Sequence, residues 1–185
     1  MDALVVEGLL ERIPGRGTFV ARPRRTASRL TSYSEEMARR GLLAESQTLL
    51  ARREQAGPGV ARALNVSEGD AVIHWRRLRR ADAQPMCIED AYLNEVLIPG
   101  FLQSGMPTSL YEALESRGLR PTWAEDSINA DIANDEEAEL LELAAGASVL
   151  RHSRRGSSGE KVVEVSRTVY RADRFTMWLQ VGAES

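Results

Sequence analysis

Cysteine, histidine and lysine are almost missing from this chain, and each shortage closes a class of chemistry. The single cysteine, Cys87, can form no internal disulfide, which fits a reducing compartment. Two histidines, His74 and His152, leave little material for imidazole catalysis or a histidine-rich metal site. Lys161 is the only lysine, so positive charge rests on arginine throughout, a compositional bias rather than a mechanism. No stretch reaches the roughly 20 apolar residues of a membrane span, and the N-terminus lacks a signal-peptide core. These absences predict a cytoplasmic chain with no membrane partner, no metal site and no cofactor.

What is present suits a globular protein. With 185 residues, 43% hydrophobic and 28% charged, the chain has material for one well-buried domain and a small appendage. The net charge of −3 gives no overall bias toward nucleic acid. Its distribution is uneven, however. Residues 1–30 hold six arginines against three acids, so a +3 head precedes a body of −6.

The head carries a hairpin signal: short β-prone runs at 10–13 and 18–20 flank Pro14-Gly15-Arg16-Gly17. A basic stretch at 22–29, with Pro23 inside it, reads as a linker. Beyond it, Ser34 is the expected N-cap of a helix ending before Gly41, and Asn134 with Glu137 resembles a capping box. Short helices are also expected at 57–64 and 109–117. Strands are expected at 47–54, 71–80, 85–96, 121–132, 149–157, 161–171 and 175–181. Long strands broken by short helices predict an α+β fold.

Several residues stand out chemically. Arg77 and Arg79, at i and i+2 of one strand, share a face, where two guanidinium groups repel unless an anion or carboxylate lies between them. A solvent-facing basic strand is the plain alternative, and it suits Arg76 and Arg80 on the opposite face. Glu89 and Glu164 sit mid-strand among apolar neighbours, so each needs a partner: an arginine, or a donor on a ligand. Ser109 opens a helix and caps it, with or without a ligand at the same hydroxyl. Arg16, between two glycines at a turn, is either solvated or placed to enter a DNA minor groove. Trp75, Trp123 and Trp178 read as packing residues, Cys87 as a small core residue, and both histidines as ordinary strand residues.

The segment Gly-Leu-Leu-Glu-Arg-Ile-Pro-Gly-Arg-Gly-Thr-Phe-Val at 8–20 resembles the end of the winged helix-turn-helix domain of GntR-family transcription regulators. The remainder resembles the UTRA effector-binding domain of the HutC subfamily, related in fold to chorismate lyase. The matching stretches are Leu-Thr-Ser-Tyr-Ser-Glu-Glu-Met at 30–37, Arg77-Leu78-Arg79-Arg80-Ala81-Asp82 with Pro85 and Glu89, Ser109-Leu110-Tyr111-Glu112, and Glu164 to Arg174 with Val169-Tyr170-Arg171-Ala172-Asp173-Arg174. Each is weak alone; their order along the chain is specific.

The resemblance implies three segments: a winged-domain remnant at 1–21, a linker at 22–29 and a UTRA domain at 30–185. It implies an antiparallel sheet with short flanking helices, preceded by the wing hairpin. It assigns Arg77 and Arg79 to an anionic group of the effector, and Glu89, Ser109, Tyr111, Glu164, Tyr170 and Arg171 to the same pocket. Ser32, Tyr33 and Ser34 become the loop that closes over it. Arg16, Gly17 and Thr18 become the DNA-contacting wing. A complete winged domain needs roughly 50 residues more before Met1, and base readout needs its recognition helix.

The implied function is a ligand-responsive repressor, a homodimer on operator DNA, sensing a small anion such as a phosphorylated (amino)sugar. The alternatives are a small lyase of the related fold, gripping a carboxylate substrate with Arg77 and Arg79, and a stand-alone effector-binding remnant.

Overall fold

The computed structural model of the chain describes residues 10–13, 17–20 and 30–177. Strands β1 (Leu10–Ile13) and β2 (Gly17–Val20) pair antiparallel, Leu10 opposite Val20, as the glycine-flanked turn predicts. Arg16 and the 22–29 linker lie outside the described residues, and of Gly17 and Thr18 only the backbone is described.

From residue 30 onward the chain builds one six-stranded sheet in the order β3-β4-β5-β8-β7-β6, antiparallel at every pairing. The strands are β3 (Ala44–Gln55), β4 (Ala71–Ala81), β5 (Gln84–Asn94), β6 (Trp123–Ile132), β7 (Ser148–Ser158) and β8 (Lys161–Arg171). Four short helices interrupt them: α1 (Tyr33–Arg39), α2 (Pro58–Leu64), α3 (Leu110–Glu115) and α4 (Asp135–Leu140). This is the expected α+β architecture.

Local chemistry accounts for the helix ends. Pro58 opens α2 with its preset φ, and Asn65 closes it in the left-handed region at φ 56°. Asn134 and Glu137 form the expected capping box of α4. The α1 cap is Ser32, not Ser34. Ser32 Oγ accepts from the Glu35 N–H at 3.2 Å, and the Glu35 carboxylate accepts from the Ser32 N–H at 2.8 Å. The box requires a carboxylate three residues after the cap, which Ser32 has and Ser34, followed by Met37, lacks.

Other boundaries shift for similar reasons. β5 stops at Asn94, whose side chain accepts from the Val96 N–H at 3.1 Å and turns the chain into a 3-10 turn. Phe175, expected to open a strand, instead stacks on Tyr170 with ring centroids 3.8 Å apart; 178–181 lies outside the described residues. Trp123 is not a packing residue. It begins an edge strand and is 56% exposed, whereas Trp75 is buried and Trp178 is not described.

Strand alternation buries both faces. On one, Ile73, Trp75, Ala91 and Leu93 pack beneath Leu110 and Leu114 of α3. On the other, Val72, Tyr92 and Val165 pack with Ala61 and Leu64 of α2, while Leu78, Ile88 and Val169 pack with Leu141 after α4. Each fully buried side chain of this kind contributes about 1.5–3 kcal/mol, so the faces that hold the site are anchored by core. Among the described residues, no helix is long and apolar enough to cross a membrane.

Candidate effector site

Residues directly opposite each other in a sheet share a face, so the register lays out the site. Arg77 of β4 stands opposite Glu89, which stands opposite Thr168 and then His152. One neighbouring row runs Arg79, Cys87, Tyr170; the other runs Trp75, Ala91, Ser166, Arg154, Asp126. Beyond that, Leu93, Glu164 and Gly156 align. Ser32 and Tyr33 at the start of α1, and Ser109 and Tyr111 at the start of α3, close the space above these rows. The resulting cavity is about 220 Å³.

At one end the arginines dominate. Arg77 and Arg79 are 1% and 3% exposed, and both donate to Glu89 Oε2, Arg79 Nη1 at 3.4 Å. Arg77 lies over the Trp75 ring at 3.7 Å and Arg79 over the Tyr33 ring at 4.4 Å, contacts that hold a guanidinium flat. Arg79 Nη2 also donates to Ser34 Oγ at 3.3 Å. Even so, Nε and Nη1 of Arg77 and Nε of Arg79 are buried without a hydrogen-bond partner among the described residues. Such a donor costs about 1–3 kcal/mol while unpaired. Burial, with the Arg79 charge alongside, pulls Arg77 down to about 10. Burial resists ionisation of Glu89, but the Arg77 and Arg79 charges outweigh it and hold that carboxyl below its usual range.

The other end is a hydrogen-bonded relay. The Tyr111 hydroxyl donates to Glu164 Oε1 at 2.5 Å and accepts from Arg154 Nη1 at 3.4 Å. Arg154 donates through Nε and Nη2 to the two oxygens of Asp126, at 2.8 and 2.7 Å, and through Nη1 to the Thr31 carbonyl at 3.4 Å. His152 Nε2 is 3.2 Å from the same Asp126. Burial, reinforced by the Glu89 charge, pushes Glu164 up to about 7 despite the Tyr111 bond. Burial also raises Asp126, but Arg154 and His152 outweigh it and leave that acid well below the usual carboxylate range. Gly156 is required here. A Cβ at this position would lie 2.9 Å from both Cγ and Oε1 of Glu164.

The fold therefore gathers Ser32, Tyr33, Arg77, Arg79, Glu89, Ser109, Tyr111, Glu164 and Tyr170 around one cavity. Ser34 joins indirectly, through Arg79. Ser109 Oγ is the α3 cap, accepting from the Glu112 N–H at 3.4 Å. Arg171 is the exception. Tyr170 points to the cavity, so its neighbour must point away; Arg171 pairs with Asp173 at 2.8 Å and donates to the Leu141 carbonyl at 3.0 Å. Arg76 and Arg80 also face away, as expected, toward Glu136 and Glu142.

Sequence reasoning missed Arg154 and Asp126, and passed over His152. The available signal was parity. With Glu164 and Tyr170 inward on β8, the antiparallel hairpin turns the even-numbered β7 residues inward, and Arg154 with them. Cys87 is buried in the row between Arg79 and Tyr170, and its thiol is pushed up by burial, unsuited to nucleophilic chemistry.

A family model described as "UTRA domain" matches residues 39–176. The chain is 31% identical over 173 residues to the histidine utilization repressor of Pseudomonas putida, spanning 92% of this chain and 70% of that protein. It is also 31% identical over 180 residues to the HTH-type transcriptional repressor NagR of Bacillus subtilis, spanning 95% and 74%. Its structure is similar to the crystal structure of PhnF from Mycobacterium smegmatis, with TM-score 0.80 and 28% identity over 99% of this chain and 82% of that one.

Proposed function

Because the chain belongs to the UTRA-domain family of GntR-type transcriptional regulators, we propose that the cavity binds a small anionic effector, a phosphorylated sugar or amino sugar, and that its occupancy controls operator binding by a homodimer. One observation carries this reading: two buried arginines that line the cavity share a single carboxylate and keep three nitrogens without a hydrogen-bond partner among the described residues. An anion seated between them takes those donors and relieves the repulsion. Glu164, Asp126, Ser166 and Thr168, on the same face, offer acceptors and hydroxyls to a polyhydroxy body.

In this reading residues 30–185 are the sensing domain and residues 1–21, with Arg16, Gly17 and Thr18, belong to the winged domain that meets DNA. Operator half-sites related by a dyad call for two-fold protein symmetry, hence the dimer. The effector acts allosterically only if it distinguishes two arrangements of the winged domains.

A thermal-shift screen with glucosamine 6-phosphate, glucose 6-phosphate, inorganic phosphate and urocanate tests the reading. The sugar phosphates should raise Tm and change the affinity of the full regulator for its operator. Pyruvate release from chorismate would overturn the reading in favour of a lyase.

A further inference from the structure

The opposite face of the sheet holds a second concavity. Gly59, Val60 and Ala63 of α2 overhang the strands there, and the space beneath encloses about 250 Å³. Register again explains the lining. One outward row runs Glu125, Arg155, Val165, Tyr92 across four strands, and the next runs Ser127, Ser153, Arg167. Val60, Val165 and Tyr92 belong to the apolar cluster under α2, so one wall is hydrophobic. The two serines make a floor of small side chains.

Charge distinguishes this groove. Arg76, Arg151, Arg154 and Arg171 of the sheet each pair with a carboxylate. Arg155 and Arg167 form no ion pair among the described residues, although Glu125 stands directly opposite Arg155, and Asp90, engaged with His74 and Arg76, stands directly opposite Arg167. Arg155 is nonetheless held in place, because its Nε donates to the Ala63 carbonyl at 2.7 Å. Two positive side chains on adjacent strands, diagonal in register, repel each other, and an anion between them removes that repulsion.

We propose that this groove binds a small organic anion with a flat apolar body. Its acid group meets Arg155 and Arg167, and its body lies against Tyr92, Val165 and Val60. The volume falls below the roughly 300–1,000 Å³ of pockets for drug-sized ligands, so the body is one or two rings. The groove backs onto the effector cavity, and Arg154 and Ser166 border both.

Titration of the full chain with 2-naphthoate, followed by calorimetry, tests it. One site per chain is expected. Arg155→Ala with Arg167→Ala should weaken binding about tenfold or more, equivalent to about 1.4 kcal/mol. Ala63→Trp, which fills the groove, should abolish binding, and the uncharged 2-naphthamide should bind far more weakly than the acid. The proposal fails if no saturable binding occurs up to millimolar probe, or if binding survives the double arginine variant. It fails equally if sedimentation shows that Ala63→Trp dissociates an oligomer, which would make the groove an interface between copies.

Discussion

The carboxylate of Glu89 bridges the guanidinium groups of Arg77 and Arg79, one oxygen accepting from both. Arg77 stands directly opposite Glu89 across the β4–β5 ladder, and Arg79 lies two residues along. This single acid makes two buried cations on one face tolerable, and it leaves the pair one charge short of neutrality.

Glu89→Gln should therefore be strongly destabilising. Removing one partner of a buried ion pair costs about 3–5 kcal/mol, because the remaining charges are uncompensated. Urea unfolding at neutral pH measures the loss. Millimolar phosphate should restore part of it in the variant by taking the place of the carboxylate. Since Glu89 is held below its usual range, its contribution is complete above the ordinary carboxylate pKa and fades as pH falls through the lower, folded value. The gap between wild type and variant should narrow in acid.

Arg77→Ala and Arg79→Ala should each abolish the thermal shift produced by sugar phosphates. A ligand at a hundred times its Kd stabilises the wild-type protein by about 2.7 kcal/mol, so the signal is large enough for its loss to be read. A wild-type response in both variants would show that the anion sits elsewhere.

Glu164 has the opposite pH signature. Burial raises it to about 7, so between the ordinary carboxylate pKa and 7 the unfolded chain releases a proton that the folded chain keeps. Stability should fall with rising pH across that window and level off above it, at about 1.4 kcal/mol per pH unit at most. Glu164→Gln removes the slope while preserving an acceptor for Tyr111. Unfolding curves from pH 5 to 8 should show the variant gaining on the wild type as pH rises. Parallel curves would contradict the assignment.

Gly156→Ala places a methyl group against the Glu164 side chain at 2.9 Å. Overpacking of a buried site typically costs about 1–3 kcal/mol. Here it should also push Glu164 off Tyr111, so the response to sugar phosphates should weaken along with Tm. Gly159→Ala, in open space, carries only the strain of its positive φ. It should lower Tm without altering the ligand response.

Alternation and capping chemistry are local, and both were readable along the chain. The i, i+2 spacing put Arg77 and Arg79 on one face and Arg76 and Arg80 on the other, and Asn134 with Glu137 announced α4. The α1 cap, expected at Ser34, is instead Ser32, the residue with a carboxylate three positions on. Mid-strand placement among apolar neighbours singled out Glu89 and Glu164; family resemblance added Tyr111 and Tyr170, yet it carried Arg171 into the pocket against the alternation that turns it toward Leu141 and Asp173.

Sequence by itself determined the sheet-and-helix composition and the arginine pair, because these depend on neighbours within a few residues, and its one cysteine ruled out an internal disulfide. Tertiary structure alone decided that Glu89 divides itself between two arginines, that Arg154 and Asp126 complete the cavity, and that Trp123 lies at an exposed edge. Those facts follow from strand order and register. They place β8 between β5 and β7, so that residues as distant in sequence as Thr31 and Arg154, 123 positions apart, meet under one roof. No local preference encodes which strand lies beside which; burial of the whole sheet does.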